Sequence, residues 1–537
     1  MQSSPVDPQS LPEEVFPVVV IGAGLAGLTA ALHLAERGIT PLVLEADQRD
    51  VGGRISGGWE ETFEHEGRVW SFPTEHGMHA LWGGYDNMRA TLDRFVEVEL
   101  QPSPGEVWIN RWGYTVTRME AGSAVRYSWL PAPFHYLQLL LRPRFWTTIT
   151  PLDFLSLPGF LFSVLVTAGF DPIREKIALD GLMMRDYFGG WTSNLKATFI
   201  GLGKNLLAAP MEEISFAAFV AAMRFFTLLN RADWHPHFFP SDAHTALIQP
   251  MLNKLEALDG WVMVGTTAKA LARTPNGWRV IVDDAARGGE RSLEAAQVIL
   301  ALDPPATERL LSAHPDTAGE VPRLRIPGGL RTTTARLWFT KTPTQSGASG
   351  MLTGDFMYDN FFWLDQLQPP FAAWREAVGG STIELHLYGT DRQVDQPDKV
   401  LIQRALDEVL SAYPELRDTF IHGAIRRNSK TQSVFRIPTA NSLHVRSPYP
   451  RIFACGDWIG HPTPSLWMER SCTTAIAAAN EVLTIYGCEP YPILEPAPPE
   501  PLARWLGAGV YGLRRLMNPP YQWIRSARRG NRRNDLR

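Results

Sequence analysis

Apolar and polar positions near the start of the chain follow the order expected for a strand, a helix and a second strand. Residues 18–21 form an unbroken apolar run, which is typical of a strand buried on both faces of a parallel sheet. A glycine-rich turn, 22–27, leads into an apolar pattern with helical spacing that ends at Gly38. A further apolar run, 41–44, follows and ends in Glu45. The pattern predicts a βαβ unit.

The turn of this unit carries a dinucleotide-binding fingerprint. Gly22 is expected to make the tight turn, Gly24 to let the backbone approach a pyrophosphate, and Gly27 to let the helix pack on the strand. Glu45 is placed to bind a ribose hydroxyl pair, and the helix N-terminus offers N–H groups to the phosphates. A Gly-x-Gly-x-x-Gly motif alone is weak evidence, but strand, helix and acid occur here together. The sequence therefore predicts a dinucleotide at this turn, with Ala23 among its contacts.

Composition and charge are those of a large globular protein. The 537 residues suffice for several domains, and 45% hydrophobic and 20% charged residues are ordinary values. The net charge of −5 gives no support to nucleic-acid binding, so no nucleic-acid partner is predicted. Cys455, Cys472 and Cys488 lack the spacing of a zinc site or a disulfide framework. No metal is predicted, and a reducing cytoplasm is the simplest setting.

A second glycine motif identifies the dinucleotide. Gly52, Gly53 and Arg54 follow soon after Glu45, and a nicotinamide-binding domain has no need of such an element. The motif resembles the glycine–arginine extension of FAD enzymes in the amine oxidase and phytoene desaturase superfamily. The resemblance implies FAD as the cofactor, with Arg54 as a planar, permanently charged donor to its phosphates. The alternative is a solvated arginine in a glycine turn.

A short strand and turn late in the chain resemble the closing motif of the same superfamily. The apolar run 452–455 stops at Gly456 and Asp457, and a helical segment follows. In that superfamily such a turn brings a carboxylate to the ribityl chain, and the next helix points its N-terminus at the isoalloxazine. The resemblance implies this role for Asp457 and a flavin contact for Met468. Taken alone, the turn is also compatible with an ordinary strand end.

The two motifs together predict an α/β protein with a discontinuous, Rossmann-like FAD-binding domain and an α+β substrate domain. Between the motifs, 261–284 has the pattern of strand, turn and strand. It resembles the β-layer that covers the adenine end of FAD, with the backbone near Ala268 as the contact. The predicted FAD-binding segments are 16–95, 245–307 and 451–483. The predicted substrate-domain segments are 96–244 and 308–450.

The segment between the glycine motifs narrows the resemblance to a family. It is similar to the E-x-G-x-H-x-x-F-x-x-Y-x-N segment of ζ-carotene and phytoene desaturases, with these matching residues: Glu75, Gly77, His79, Trp82, Tyr85 and Asn87. The closing helix resembles that of the aromatising carotene desaturase/methyltransferase (isorenieratene synthase) group. Residues 82–84 and 471–475 depart from these patterns, and the central part of the chain matches neither group securely. The identity of the polyene therefore stays open.

The resemblance implies removal of two hydrogens from a carotenoid polyene, with hydride passing to the flavin and a proton leaving the resulting cation. Glu75 and Trp82 are candidates to stabilise that cation. His79 is a candidate to accept the proton, to donate a hydrogen bond to the flavin, or to be a buried structural residue. Glu469 either approaches the flavin or serves the first turn of its helix, and Arg470 pairs with that acid or with the cofactor. A quinone or oxygen would reoxidise the flavin.

Four other functions stay open. A flavin amine oxidase of the same fold would hold a cationic amine in an aromatic cage, which 18 tryptophans could supply. A carotenoid isomerase or a ring-aromatising desaturase would also act on an apolar isoprenoid. A carotenoid carrier would bind such a molecule without turnover.

The apolar stretch 134–170 is the first of two segments that bear on membrane contact. Prolines interrupt it, and its longest unbroken piece, 159–170, is too short to span a bilayer. We expect it to be either a buried wall of a substrate tunnel or a segment that dips into one leaflet.

The C-terminal tail is the second such segment. After a proline-rich linker, 490–503, residues 504–537 contain nine arginines and one acid, with apolar positions near helical spacing. This pattern is typical of an interfacial amphipathic helix on anionic lipid, and a solvated basic tail is the alternative. We therefore expect a cytoplasmic protein peripherally associated with the inner face of the membrane.

Overall fold

The computed structural model describes residues 15–55, 57, 59–285, 288–344 and 347–534, with side chains as far as residue 517 except those of 123 and 124. The strands are β1 (Phe16–Ile21), β2 (Pro41–Leu44), β3 (Trp59–His65), β4 (Arg68–Thr74), β5 (Ala80–Leu81), β6 (Gln101–Pro102), β7 (Glu106–Trp112), β8 (Thr115–Glu120), β9 (His237–Phe238), β10 (Trp261–Met263), β11 (Thr266–Arg273), β12 (Trp278–Asp284), β13 (Gly289–Leu300), β14 (Gly329–Phe339), β15 (Ser349–Gly354), β16 (Asn360–Trp363), β17 (Ser381–Leu387), β18 (Phe420–Ser433) and β19 (Ile452–Ala454). The α-helices are α1 (Leu25–Glu36), α2 (Asp86–Phe95), α3 (Gly122–Arg126), α4 (Phe145–Thr148), α5 (Leu157–Gly169), α6 (Pro172–Glu175), α7 (Met184–Tyr187), α8 (Ser193–Leu207), α9 (Phe216–Met223), α10 (Gln249–Ala257), α11 (Pro304–Ser312), α12 (Pro315–Ala318), α13 (Pro369–Val378), α14 (Asp391–Val394), α15 (Asp398–Ala412), α16 (Trp467–Ile485) and α17 (Pro501–Asn534).

The first large sheet contains the βαβ unit that the sequence predicts. β1, α1 and β2 occur in that order, and β1 lies parallel to both β2 and β13. The order of the sheet is β10-β2-β1-β13-β12-β11. β2 is fully buried and β1 nearly so, which explains why their sequences are continuous apolar runs and do not alternate.

β13 joins three distant parts of the chain. Its second half, 295–300, pairs with β1 along one edge. Along the other edge, its first half pairs antiparallel with β12, and residues 298–300 pair parallel with β19. The carboxyl ends of β1, β13 and β19 therefore lie side by side, which is the edge of a parallel sheet where ligands bind.

The second large sheet has the order β18-β14-β17-β16-β15-β7-β8. β17 is buried at every position, and α15 packs on β14 and β18. Many tryptophans belong to cores around this sheet and the first one. Four of them are almost fully buried: Trp278, Trp338, Trp363 and Trp374.

Residues Pro151–Gly169 form one continuous apolar helix, a 3-10 segment (Pro151–Ser156) followed directly by α5. Pro151 lies at the start of this helix, as the predicted interruption there implies, whereas the predicted interruption at Pro158 is wrong because the helix continues through it. Each occupies the first or second position of its helix, where the missing N–H removes no hydrogen bond. Among the described residues this is the one helix long and apolar enough to cross a membrane, with mean hydropathy 1.6. Buried core helices also meet that criterion.

Candidate cofactor and active site

The glycine turn has room for a ligand at one position and is tightly packed at the other two. Gly22 has a φ of +106°, and a Cβ there would lie 2.6 Å from the carbonyl oxygen of Ala301. A Cβ at Gly27 would lie 1.9 Å from the Gly22 oxygen, so the close contact of helix and strand requires glycine. At Gly24 the nearest described atom, the Gly52 oxygen, would be 3.7 Å away. Protein packing therefore does not require glycine at position 24, whereas close approach of a pyrophosphate does.

Glu45 lies at the carboxyl end of β2, beside this turn. Its carboxylate accepts hydrogen bonds from the N–H groups of Ala23 and Asp47, both at 3.0 Å. Burial raises the pKa of Glu45 in spite of these hydrogen bonds. The carbonyl oxygen of Glu45 accepts from the Thr266 N–H at 2.7 Å, which brings β11, the strand that contains Ala268, next to the same edge.

An ion pair joins two distant parts of the chain at this edge. Arg54 Nη2 lies 2.7 Å from Asp457 Oδ1, and the Asp457 side chain is almost fully buried. Gly52, two residues before Arg54, donates its N–H to the Ala23 oxygen at 3.0 Å. The structure therefore brings together the glycine turn, the glycine–arginine motif and the late Gly-Asp turn.

The late turn is fixed by the helix that follows it. Gly456, with a φ of +141°, donates its N–H to Thr474 Oγ1 of α16 at 2.9 Å. Met468 is buried in the first turn of that helix. Arg470 is fully buried and donates to the carbonyl oxygens of Ile459 at 3.0 Å and Ser465 at 3.2 Å. Arg470 thus organises the loop between the turn and α16.

Glu469 has a structural role in this chain. Its carboxylate accepts the N–H groups of Asn87 and Met88, both at 2.9 Å, and the Asn87 side-chain amide at 2.7 Å. These groups belong to the first turn of α2, so Glu469 caps a neighbouring helix. Of the two roles considered for this acid, approach to the flavin and service to its own first turn, neither describes these contacts.

The segment 75–79 lies on the second sheet and is held there by buried polar side chains. Arg336 donates to the Glu75 oxygen at 3.0 Å, and Glu384 accepts the Met78 N–H at 2.7 Å. Arg336 and His386 both bind Glu384, at 2.6 Å each. Burial opposes ionisation of Glu384, but the Arg336 charge and His386 outweigh it and hold its pKa at about 2.

The three candidate catalytic residues occupy two different surroundings. Glu75 is buried, with Gln368 donating to its Oε1 at 2.8 Å, and its Oε2 lies 3.7 Å from His79 Nδ1. Trp82 lies in a separate aromatic cluster, with its ring 5.1 Å from that of Trp234 and 5.5 Å from that of Phe226. Glu75 and His79 are therefore neighbours, and catalytic roles for all three residues stay predictions.

Sequence reasoning missed the contribution of β18, which lies in the segment assigned to the substrate domain. Gln432 accepts from Arg54 at 3.2 Å, Ser433 donates to Asp457 at 2.8 Å, and Asn428 donates to the His76 oxygen at 2.8 Å. The end of this strand is polar at almost every position and shows no apolar alternation, so it gives no strand signal. The Gln-Ser pair that follows this polar run is the sequence feature that could have indicated a contribution to the site.

Unpartnered polar atoms surround the region where these elements meet. Within the described residues, Gln432 Nε2, Asn428 Oδ1 and His79 Nδ1 are buried and have no hydrogen-bond partner. Buried polar atoms without partners are rare in folded proteins and indicate a ligand or ordered water. FAD offers hydroxyl groups and ring nitrogens and oxygens to such atoms, so the residues present fit this cofactor.

Comparison with known sequences and structures identifies the family. The profile described as flavin containing amine oxidoreductase matches residues 25–483. Carotenoid phi-ring synthase of Streptomyces griseus is 27% identical over 496 residues, which cover 88% of each chain. The 15-cis-phytoene desaturase of Arabidopsis thaliana is 26% identical over 275 residues, 50% of this chain and 44% of the relative.

Solved structures share the fold at lower identity. Cyclohexylamine oxidase of Brevibacterium oxydans superposes with a TM-score of 0.62 at 17% identity, over 88% of this chain and 100% of its own. A putative protoporphyrinogen oxidase of Exiguobacterium gives 0.59 at 16% identity, over 89% and 99%. These findings confirm the predicted superfamily, the α/β fold with a Rossmann-like FAD domain, and FAD as the cofactor. The chain belongs to the flavin-containing amine oxidoreductase family.

Proposed function

We propose that this FAD-dependent oxidoreductase is a carotene desaturase-type enzyme that takes hydride from a polyene. The observation that carries the proposal is the similarity to carotenoid phi-ring synthase over 88% of both chains. The 15-cis-phytoene desaturase of Arabidopsis thaliana aligns with half of this chain at a comparable identity, 26%. Both kinds of relative are named for carotenoids, and neither named activity involves an amine.

The cofactor is assigned to the edge where β1, β13 and β19 end. The pyrophosphate would lie over the open face of Gly24 and the N-terminus of α1, which carries a positive dipole end. Glu45 keeps lone pairs free for ribose hydroxyls, and Asp457 would orient the ribityl chain. The residues assigned to FAD are Gly22, Ala23, Gly24, Gly27, Glu45, Gly52, Gly53, Arg54, Ala268, Gly456, Asp457 and Met468.

Bound FAD supplies the hydride acceptor, and the protein supplies position, charge and exclusion of water. His79, whose Nδ1 lies 3.7 Å from the carboxylate of Glu75, would accept the proton that leaves the polyene cation. Glu75 would also lower the energy of that cation through its negative charge, and the ring of Trp82 would do so through its π face. These are the roles that mutation must test.

Pigment analysis in living cells tests the proposal. The protein is expressed in strains that accumulate lycopene, ζ-carotene or β-carotene, with Gly24→Val, which we expect not to retain FAD, as the matched control. We expect a longer chromophore in one strain and no change with the control. Unaltered pigments in all three strains, from protein that purifies yellow, would contradict the proposal.

A ring-aromatising activity is the second candidate, because a relative that aligns with 88% of the chain is named for a ring synthase. Mass and absorbance of the product distinguish the two. Desaturation of the chain lengthens the chromophore, whereas aromatisation changes the end ring. An unchanged chain length with altered cis-band intensity would indicate an isomerase, and peroxide released with amines would indicate an amine oxidase.

A carotene dissolves in lipid, so the proposed activity includes a peripheral site at the inner face of the membrane. Re-oxidation would then use a membrane quinone or oxygen. Measuring flavin re-oxidation with a soluble quinone analogue under anaerobic conditions separates these two acceptors, because only the quinone reaction persists without oxygen.

A further inference from the structure

The helix Pro151–Gly169 has its polar side chains inside and its large apolar side chains outside. Ser163 and Thr167 of α5 are buried and donate to the Tyr187 and Ser163 carbonyl oxygens, at 2.8 and 2.9 Å. In the 3-10 segment, buried Asp153 accepts from the Thr150 N–H at 2.8 Å. A helix on the surface of a protein in water carries the opposite pattern.

The outward side chains of this helix form one apolar face. Leu155 is 73% exposed and Phe162 is 68% exposed. The other large exposed side chains of the same helix are Leu152, Phe154, Leu157, Leu161 and Leu165. Trp146, stacked on Phe154 at 5.6 Å, extends the face. The expectation of a buried tunnel wall does not describe these side chains.

The C-terminal helix α17 packs beside this face. A Cβ on Gly169 would lie 2.3 Å from Val510, and a Cβ on Gly507 would lie 2.6 Å from the Ala168 oxygen, so glycines allow the two helices to touch. Arg514 donates to the Gly169 oxygen at 2.7 Å and pairs with Glu175 at 2.9 Å. α17 in turn exposes Trp505, Leu513, Leu516 and Met517.

Positive charge continues from this contact along the rest of α17. Residues 504–537 contain nine arginines and one acid. The helix runs about 25 Å beyond residue 517, at 1.5 Å per residue. An apolar face bordered by a strongly basic helix matches the interface of an anionic bilayer, where acyl chains lie beneath negative headgroups.

We propose that the exposed apolar side chains of Pro151–Gly169 and of 505–517, the α5–α17 surface, dock on an anionic lipid bilayer. This inference rests on the peripheral location in the proposed function, and it names the surface and the lipid chemistry. In this proposal the apolar side chains enter the headgroup region, and the positive charge of the C-terminal sequence attracts the anionic headgroups.

Co-sedimentation with vesicles tests the proposal on the FAD-loaded full chain. The vesicles contain phosphatidylcholine alone or with phosphatidylglycerol. The test variant is Leu155→Asp with Phe162→Asp, and the matched control is Val69→Asp with Val400→Asp, which changes exposed apolar residues (71% and 48%) outside the surface. A third variant replaces five tail arginines by glutamine: Arg525, Arg528, Arg529, Arg532 and Arg533.

We expect the wild type and the matched control to bind the anionic vesicles, and the test variant to bind at least about tenfold more weakly, because two apolar side chains lose their burial in lipid. The arginine variant should lose the preference for phosphatidylglycerol. Bound flavin shows that each variant is folded. Equal binding by the test variant would overturn the proposal. So would a wild-type dimer that becomes a monomer in the test variant without any vesicle binding.

Carotene turnover in detergent micelles separates this proposal from the proposed function. A test variant that converts carotene in micelles but does not bind vesicles supports both. If wild-type protein binds vesicles through this surface but converts no carotene, the proposed lipid-binding surface is supported and the proposed function is contradicted.

Discussion

Two glycines three residues apart in the first turn differ in what their missing side chains do. A Cβ at Gly27 would lie 1.9 Å from the Gly22 carbonyl oxygen, whereas a Cβ at Gly24 would make only ordinary van der Waals contact, 3.7 Å from the Gly52 oxygen. Substitution of Gly27 should therefore damage folding, and substitution of Gly24 should damage cofactor binding. This contrast separates a structural glycine from a binding glycine without any ligand in view.

Gly24→Val is expected to give folded, colourless protein, because the new side chain fills the space that the pyrophosphate needs. Gly27→Val should give insoluble protein, since the clash is with backbone at 1.9 Å. Gly319→Val, at a helix end with nothing within 4 Å, is the control and should stay yellow. Flavin absorbance and circular dichroism check the three variants. A yellow Gly24→Val protein would contradict the assigned site.

The Arg54–Asp457 pair should contribute to both stability and flavin retention. Asp457→Asn leaves Arg54 without its anion, and we expect a loss of about 1–3 kcal/mol in the free energy of unfolding, the range for an unsatisfied polar group. This loss in the free energy of unfolding is smaller than that expected for a fully buried pair because Arg54 is partly exposed. A double-mutant cycle with Arg54→Gln measures the coupling. Strictly additive effects would show that the pair contributes nothing.

Glu469 should make stability depend on pH. Burial raises its pKa to about 7 from an ordinary 4.5, so the folded state holds this proton more tightly than the unfolded chain. The free energy of unfolding therefore falls as pH rises from about 4.5 to about 7. The melting temperature of the wild type minus that of Glu469→Gln should decrease across this range. A constant difference would show that Glu469 does not titrate there.

At the scale of elements, the buried charges of β17 hold the segment that carries Glu75 and His79. Glu384→Ala would leave the Arg336 charge buried and unpaired, and we expect a loss of about 3–5 kcal/mol in the free energy of unfolding. Chemical denaturation measures it. Asp395→Asn, which removes the exposed partner of Arg331, is the control and should change little. Equal effects of the two variants would contradict this role for Glu384.

Elements with a strong apolar pattern could be predicted from the sequence, whereas elements without such a pattern could not. β1, α1 and β2 follow directly from unbroken apolar runs and a glycine turn. β18 could not be predicted from its polar sequence, because its stability comes from pairing with β14. Glu384 and His386 are polar residues in an apolar strand, and this pattern could have indicated that they form a buried network.

The contact between α5 and α17 could not be predicted from the sequence, for a different reason. The amphipathic tail was predicted, and α17 begins at Pro501, within the predicted linker. Its partner could not be inferred, because Gly169 and Gly507 contribute no apolar signal and meet only through the three-dimensional register of two distant helices.

For the whole molecule, FAD should be a major source of stability, because its proposed site lies at the edge where β1, β13 and β19 meet. Stripping the flavin should lower the melting temperature. Adding FAD back at about 100 times its Kd should restore roughly 2.7 kcal/mol. Glu45→Ala should weaken FAD retention less than Gly24→Val does. Scanning calorimetry with and without FAD checks this, with NAD as the control ligand. No recovery with FAD would contradict the cofactor assignment.

The pairing of β13 with both β1 and β19 has a consequence for biosynthesis. The strand that completes the proposed flavin-binding edge, β19, is synthesised after all the other described strands, so β1 and β13 must wait in the nascent chain until β19 has been made. A premature stop anywhere before Ile452 would release a polypeptide with an open sheet edge, and such a fragment should be a substrate for chaperones and proteases.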